Sequence, residues 1–123
     1  MLRCAFLSDA ISPHALLWGD AEDMEFLAQD LRAQALCPSG APTTLAHGPV
    51  DLEVKLASPA EGMSHSGSRL SWVIEPTDAC RFADQLEALA QHQHEAHQFL
   101  DPASAGGVEV KVSMGEYPPD FRP

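Results

Sequence analysis

Three histidines close together are the side chains in this sequence best suited to metal chemistry. His92, His94 and His97 lie in the segment Gln-His-Gln-His-Glu-Ala-His that spans residues 91–97. On a helix, His94 and His97 would share one face, and imidazole nitrogens are good ligands for zinc or nickel. The spacing differs from the HExxH motif, and no second ligand pair follows at metal-like spacing. The alternative is a polar helix end, where histidine interacts favourably with the helix dipole.

Cys80 is the candidate nucleophile. It falls in the first turn of a predicted helix, where the positive end of the helix dipole favours a thiolate. A thiol enzyme also needs a base, and no spacing in the sequence links His65 or His97 to Cys80. The alternative is a half-buried cysteine that acts as a small apolar side chain.

Acidic residues crowd the start of the first predicted helix. Five carboxylates lie within eleven positions: Asp20, Glu22, Asp23, Glu25 and Asp30. The first base after them is Arg32. Their order lacks the DxDxDG pattern of a calcium loop. One interpretation is a docking surface that mimics phosphate and attracts a basic protein. The other is an ordinary solvated helix face.

Two aromatic residues stand in the Pro-rich tail at 115–123. Tyr117 and Phe121 are separated by two prolines and an aspartate. Aromatic side chains often anchor a partner, so Tyr117 and Phe121 complete the candidate partner-binding set. The alternative is a tail that folds back over its own domain.

The hydrophobic pattern predicts two helices that position these residues. One spans 21–36 with Asp20 as its N-cap, and the other opens at Pro76, is capped by Thr77 or Asp78, and runs to about His97. Each has apolar residues at i, i+3, i+4, i+7 and i+11. These faces are Met24, Leu27, Ala28, Leu31 and Ala35, and Ala79, Phe82, Ala83, Leu86 and Ala90.

Apolar runs and alternation predict five strands. They cover residues 1–7, 15–18, 50–56, 70–74 and 108–112. Loops are predicted from 38 to about 50 and over 58–67, and a turn over 102–107.

The two halves of the chain repeat the same pattern. A shift of 55 places Leu27 on Phe82 and every other position of the first helix face on the second. Two strand–helix–strand units, at about 14–57 and 69–113, predict an α+β domain with the ferredoxin-like order β-α-β-β-α-β. Its one antiparallel sheet would carry both helices on one face, with residues 1–7 as an extra edge strand.

The opposite face of that sheet is left for solvent, a partner or a second copy of the chain. Glu53, Lys55, Glu109 and Lys111 are expected there as cross-strand charge pairs. Self-association through this face would give a homodimer.

Composition limits the classes of partner. The 123 residues suit one domain, and seven Lys and Arg against eighteen Asp and Glu give a net charge of −11. Such a surface repels nucleic acid and anionic membranes. The sequence has no GxGxxG or P-loop motif, no membrane-length apolar run and no signal peptide. Three cysteines without a CxxC motif favour a reducing, cytoplasmic location.

Three short motifs mark the C-terminal half: His97-Gln-Phe-Leu-Asp101, the strand Val108–Val112 and Gly115-Glu-Tyr-Pro118. Over about residues 68–118 they resemble small bacterial proteins, some of which look like immunity proteins that neutralise a cognate toxin. The resemblance implies an inhibitor that binds one toxin domain through complementary charge, and it carries over no catalytic residues. The leading expectation is therefore a non-enzymatic acidic binding protein. The alternative is a small metal-binding or thiol enzyme domain that uses the three histidines and Cys80.

Overall fold

The structure is a computed structural model that describes residues 1–8, 13–37, 40–102, 107–118 and 120–121. Within these ranges the chain forms strands and helices in the order β-β-α-β-β-β-β-α-β-β. Their bounds are β1 Arg3–Leu7, β2 His14–Gly19, α1 Ala21–Leu36, β3 Thr43–Ala46, β4 Asp51–Leu56, β5 Gly62–Ser66, β6 Arg69–Ile74, α2 Pro76–Ala90, β7 Ala96–Phe99 and β8 Glu109–Met114.

The strands form two separate four-stranded sheets. The first sheet has the order β1-β2-β8-β7 and the second has the order β3-β4-β6-β5. In each sheet the two central strands are parallel, and each edge strand is antiparallel to its neighbour. The α+β class is confirmed. The expected single antiparallel sheet of the ferredoxin-like order is not formed, because β2 pairs with β8 and β4 pairs with β6 in two different sheets.

The same order of elements occurs twice, and the two halves exchange strands. Each half reads β-β-α-β-β and contributes two strands to each sheet. A close backbone approach also recurs. A Cβ on Gly48 would lie 2.7 Å from the carbonyl oxygen of Cys4, and a Cβ on Gly107 would lie 2.6 Å from that of Met63. A shift of 59 positions places Gly48 on Gly107 (107 − 48) and Cys4 on Met63 (63 − 4). Only glycine fits at either contact, because any Cβ would collide with the facing carbonyl oxygen.

Helix α1 has the bounds and the cap that the sequence predicts. Asp20 is its N-cap, and the four fully buried side chains of α1 belong to the predicted apolar face. These residues are Met24, Leu27, Ala28 and Leu31. Ala35 packs against the same core while partly exposed.

Helix α2 differs from its predicted form at both ends. Its N-cap is Glu75, one residue before Pro76, rather than Thr77 or Asp78. It ends at Ala90 rather than near His97. The N–H groups of Gln91 and His92 donate to carbonyls of the last turn, and the chain then leaves the helix to pair as β7 along β8.

Two strands lie in segments that were predicted as loops. β3 and β5 are short edge strands whose exposed positions carry polar side chains, including Thr43, Thr44, Ser64 and Ser66. Such strands lack the apolar alternation that marks a half-buried strand. The turn predicted over 102–107 falls largely on residues 103–106, outside the described residues.

One core joins both sheets and both helices. It includes Leu17 and Val112 from the first sheet and Leu52 from the second, with the buried faces of α1 and α2. Trp72 of β6 stacks on Phe82 of α2, with ring centroids 5.6 Å apart. Neither helix has the length and apolarity that crossing a bilayer requires, in the part of the chain that the structure describes.

The four charged residues expected on one open face lie on two sheets. Glu53 and Lys55 belong to β4, whereas Glu109 and Lys111 belong to β8. The predicted cross-strand pairs between them are therefore wrong. Glu53 instead pairs with Arg69 at 3.3 Å.

Candidate partner-binding surface

The acidic side chains of α1 divide between solvent and structural contacts. Asp20, Glu22 and Glu25 are exposed, because the period of the helix turns Met24 and Leu27 toward the core. Asp23 and Asp30 are partly buried, and Asp30 accepts a hydrogen bond from the side-chain amide of Gln34. Glu22 and Glu25 are therefore the members of the predicted set that solvent or a partner reaches most freely.

Asp20 and Asp23 form a reciprocal cap at the start of α1. The N–H of Asp23 donates to the Asp20 carboxylate at 2.9 Å, and the N–H of Asp20 donates to the Asp23 carboxylate at 2.9 Å. The N–H donated by Asp23 is the main cause that lowers the pKa of Asp20. Asp23 also lies 3.0 Å from the amino group of Met1. These two carboxylates thus hold the helix start in place.

Arg32 joins the exposed sides of the two helices. It contacts Asp84 at 2.6 Å and Glu87 at 2.8 Å, and these carboxylates raise its pKa. Arg32, in the second half of α1, thus contacts Asp84 and Glu87, whereas Glu25 and Gln29, nearer the start of α1, line a groove of about 310 Å³ with Glu87 and Gln91. The two helices therefore run antiparallel. We call the outward-facing set the acidic helix surface, namely Glu22, Glu25, Gln29, Arg32, Asp84 and Glu87.

Charge is distributed unevenly between helices and sheets. α1 contains four acidic residues and α2 contains three, against one arginine in each helix. Both arginines are paired, Arg32 as above and Arg81 with Asp78 at 2.9 Å. Four other bases lie on strands: Arg3, Lys55, Arg69 and Lys111. Seven acids against two arginines give the helices a net charge of −5, whereas four bases against Asp51, Glu53 and Glu109 give the strands a net charge of +1.

Phe26 is an exposed aromatic residue that sequence reasoning missed. Its side chain is 50% exposed on α1, away from the core. Glu22 and Asp30 lie one turn before and after it, so their Cβ atoms are about 5–6 Å away along the helix surface. The signal in the sequence was an aromatic residue outside the predicted apolar face, beside acidic neighbours.

The tail aromatics pack on the first sheet. Tyr117 and Phe121 contact Trp18, with ring centroids at 6.4 and 5.5 Å, and contact each other at 4.7 Å. The indole N–H of Trp18 donates to the carbonyl of Pro118 at 3.1 Å. The structure thus places both predicted partner-binding aromatics back on their own domain, where their rings face Trp18.

Glu116 fastens this tail to the sheet. Its carboxylate accepts a hydrogen bond from the Ser113 hydroxyl and lies 3.1 Å from His97 Nδ1. The Ser113 hydroxyl is the main cause that lowers the pKa of Glu116, and His97 adds to it. The Lys111 ammonium lies 5.8 Å from the centroid of the Tyr117 ring.

A cavity of about 270 Å³ lies where the tail meets the start of α1. It brings together three of the predicted binding residues, Asp20, Asp23 and Tyr117, with Arg3 and Trp18. A second cavity of about 380 Å³ also touches Asp20 and is lined by the turn at residues 92–95. One end of the molecule thus gathers residues from the helix start, the tail and the histidine-containing turn.

The three histidines occupy two different elements. His92 and His94 lie in the turn after α2, and His92 Nδ1 is 3.2 Å from the carbonyl of Ala88. His97 is on β7 beside Glu116. The expected i, i+3 pairing of His94 and His97 on one helix face is therefore wrong. Among the described residues no group of three His, Cys, Asp or Glu side chains is arranged to hold a metal ion.

Cys80 is exposed in the first turn of α2, and its thiol is free. The predicted position of Cys80, near the N-terminus of the second helix, is confirmed.

Comparison of the chain with protein-family models, with curated proteins and with solved structures found no match.

Proposed function

We propose that this protein is a non-enzymatic binding protein of immunity type that neutralises a basic toxin. One observation carries the proposal: the acidic helix surface crosses both helices and presents Glu22, Glu25, Asp84 and Glu87 on one exposed side. Carboxylates spread over two rigid helices complement the lysines and arginines of a protein that binds phosphate.

The physical advantage of this arrangement is rapid and selective encounter. A concentrated acidic field attracts a basic protein and repels nucleic acid, so the two would compete for the same basic surface. An inhibitor of this type needs to cover that surface and has no reaction to perform. A cytoplasmic site of action is part of the proposal, and the free thiols of Cys4, Cys37 and Cys80 support it.

The proposal is tested by capturing partner proteins from the host lysate with the native chain and with two charge-reversal variants. One variant reverses Glu22 and Glu25 to lysine on the acidic helix surface. The control variant reverses Glu61 and Asp101 to lysine, which are exposed positions outside both helices. Circular dichroism first establishes that both variants are folded. Retained proteins are then identified by mass spectrometry at low and high ionic strength.

The expected result is one basic protein that the native chain and the control retain at low ionic strength, and that the Glu22→Lys/Glu25→Lys variant loses. That protein should also arrest growth when it is expressed alone, and co-expression of the native chain should restore growth. Equal retention by both variants, or a captured protein that has no toxicity, would contradict the proposal.

A further inference from the structure

The ring of Phe26 is half exposed on α1 and does not belong to the buried core. Half of its surface is open to solvent, whereas the side chains that hold α1 to the core are completely buried. A single exposed apolar side chain is common on a protein surface. What distinguishes Phe26 from the other large exposed apolar residue of α1, Leu36, is that it is aromatic and lies one helical turn from a carboxylate on each side.

The surroundings of Phe26 specify the chemistry of that partner. Glu22 and Asp30 flank the ring one turn away on either side. A cation placed over the ring face would gain from the ring quadrupole and from both carboxylates. Guanidinium suits this site better than ammonium, because it is planar, stacks on aromatic rings and still pairs with carboxylates.

We propose that Phe26, which borders the acidic helix surface at Glu22, is an anchor beside that surface and receives an arginine side chain of a basic protein partner, stacked on its ring between Glu22 and Asp30. This inference rests on the proposed function, since it assigns a specific contact to the same surface. It adds a preference for arginine over lysine that charge alone does not provide.

Two labelled peptides test the anchor without knowledge of the natural partner. Hexa-arginine and hexa-lysine carry the same charge, and fluorescence anisotropy at low ionic strength measures the binding of each. The native chain should bind hexa-arginine more tightly. Phe26→Leu keeps an apolar side chain without a π system and should lose about two- to fivefold in affinity for hexa-arginine, as expected for an exposed cation–π contact.

Three further variants make the result specific. Phe26→Trp should restore the preference for arginine, because indole is the strongest aromatic partner for a cation. Leu36→Ala removes another exposed apolar side chain of α1, one that is 82% exposed, and should change nothing. Glu22→Gln/Glu25→Gln should weaken the binding of both peptides.

The outcomes separate the anchor from the surface. If the glutamine variant binds both peptides weakly while Phe26→Leu keeps the native preference, the acidic helix surface stands and the anchor is wrong. If the glutamine variant binds as the native chain does, the surface itself is wrong. Loss of the arginine preference in Phe26→Leu and its return in Phe26→Trp would establish the anchor.

Discussion

At the residue scale, the three cysteines have very different surroundings. Cys37 and Cys80 are exposed, whereas Cys4 is buried on β1, where its thiol donates to the carbonyl of Val50 at 3.1 Å. Burial is the main cause that raises the pKa of the Cys4 thiol to about 12, and Asp51 adds to it. A thiol that stays protonated and inaccessible is a poor nucleophile.

The reactivity of the native protein toward a thiol reagent should follow this division. We expect Cys37 and Cys80 to react with an aromatic disulfide reagent in the folded protein, and Cys4 to react only after denaturation. Absorbance of the released thiolate measures the number of reactive groups. A Cys37→Ala/Cys80→Ala variant is the control and should show no reaction until it is unfolded. Native reactivity of Cys4 in that variant would contradict its buried position.

Asp20 should contribute to stability through the cap of α1. Asp20→Ala removes the acceptor for the N–H of Asp23, so the free energy of unfolding should fall by about 1 kcal/mol. Because the folded-state pKa of Asp20 is lowered, the contribution of its charge is present at neutral pH and is lost as pH falls through that lowered value. Urea denaturation at neutral and at acidic pH measures both effects.

Glu22→Ala is the matched control, since Glu22 lies in the same first turn without the reciprocal cap. Its effect should be smaller than that of Asp20→Ala at neutral pH. Equal losses in the two variants would mean that general first-turn charge, and not the cap, stabilises the helix.

At the element scale, the tail and the first sheet form a small apolar unit of their own. Ala5, Leu16 and Trp18 are buried on the outer face of that sheet, under Tyr117 and Phe121. The polar contact of Glu116 with Ser113 and His97 lies beside this apolar unit. Release of Glu116 should therefore loosen the aromatic contacts as well.

Acid should open the tail before the domain unfolds. The lowered pKa of Glu116 means that its contacts are complete above its ordinary pKa and are lost as pH falls through the lowered folded-state value. Acrylamide quenching of tryptophan fluorescence should therefore rise at acidic pH while the far-ultraviolet circular dichroism stays native. Glu116→Gln should show raised quenching already at neutral pH. If quenching and loss of helix coincide, the tail has no separate transition.

The elements that sequence patterns could predict are those with a strong local period. Helix α1 was predicted with its correct bounds, since Met24, Leu27 and Leu31 mark one face and Asp20 marks the start. β3 and β5 were missed because their edge positions carry exposed polar side chains. The end of α2 is not predictable from the sequence, because no local stop signal marks it. The pairing of β7 with β8 decides where the helix ends.

The candidate site was only partly readable for the same reason. Glu22 and Glu25 follow from the helical period, but the acids that α2 adds beside them depend on how the helices pack. Phe26 is not predicted as a site residue because it lies outside the apolar face of α1, and the helical period marks only the residues on that face. The contact between Glu116 and His97 forms because β7 pairs with β8, which brings the start of β7 beside the end of β8. No local sequence pattern specifies that pairing.

At the scale of the whole molecule, charge is both abundant and segregated. A net charge of −11 on 123 residues implies self-repulsion, and α1 and α2 together contribute −5 of it, from seven acids and two arginines. Arg32 offsets part of this repulsion by pairing with Asp84 and Glu87. Stability should therefore depend on salt, because counterions screen exposed charges.

Sodium chloride should raise the melting temperature of the native chain by on the order of a few °C, since 1 kcal/mol corresponds to a shift of that size in a domain of this length. Arg32→Gln should lower the melting temperature at low salt and increase its salt dependence. Arg69→Gln removes the same charge from the second sheet and is the control, with a smaller increase expected. Equal salt dependence in the two variants would mean that net charge, and not its segregation on the helices, governs stability.

The exchange of strands between the two halves has a consequence for how the chain is made. Central strand β2 needs β8 as its parallel neighbour, so a strand that begins at His14 waits for one that begins at Glu109. Such distant pairing slows folding, because a long stretch of chain must close before the contact forms. The first sheet therefore cannot be completed until residues 109–114 have left the ribosome. Until then the apolar strand His14–Gly19 lacks its central partner, and an unpaired apolar strand of this kind is prone to aggregation.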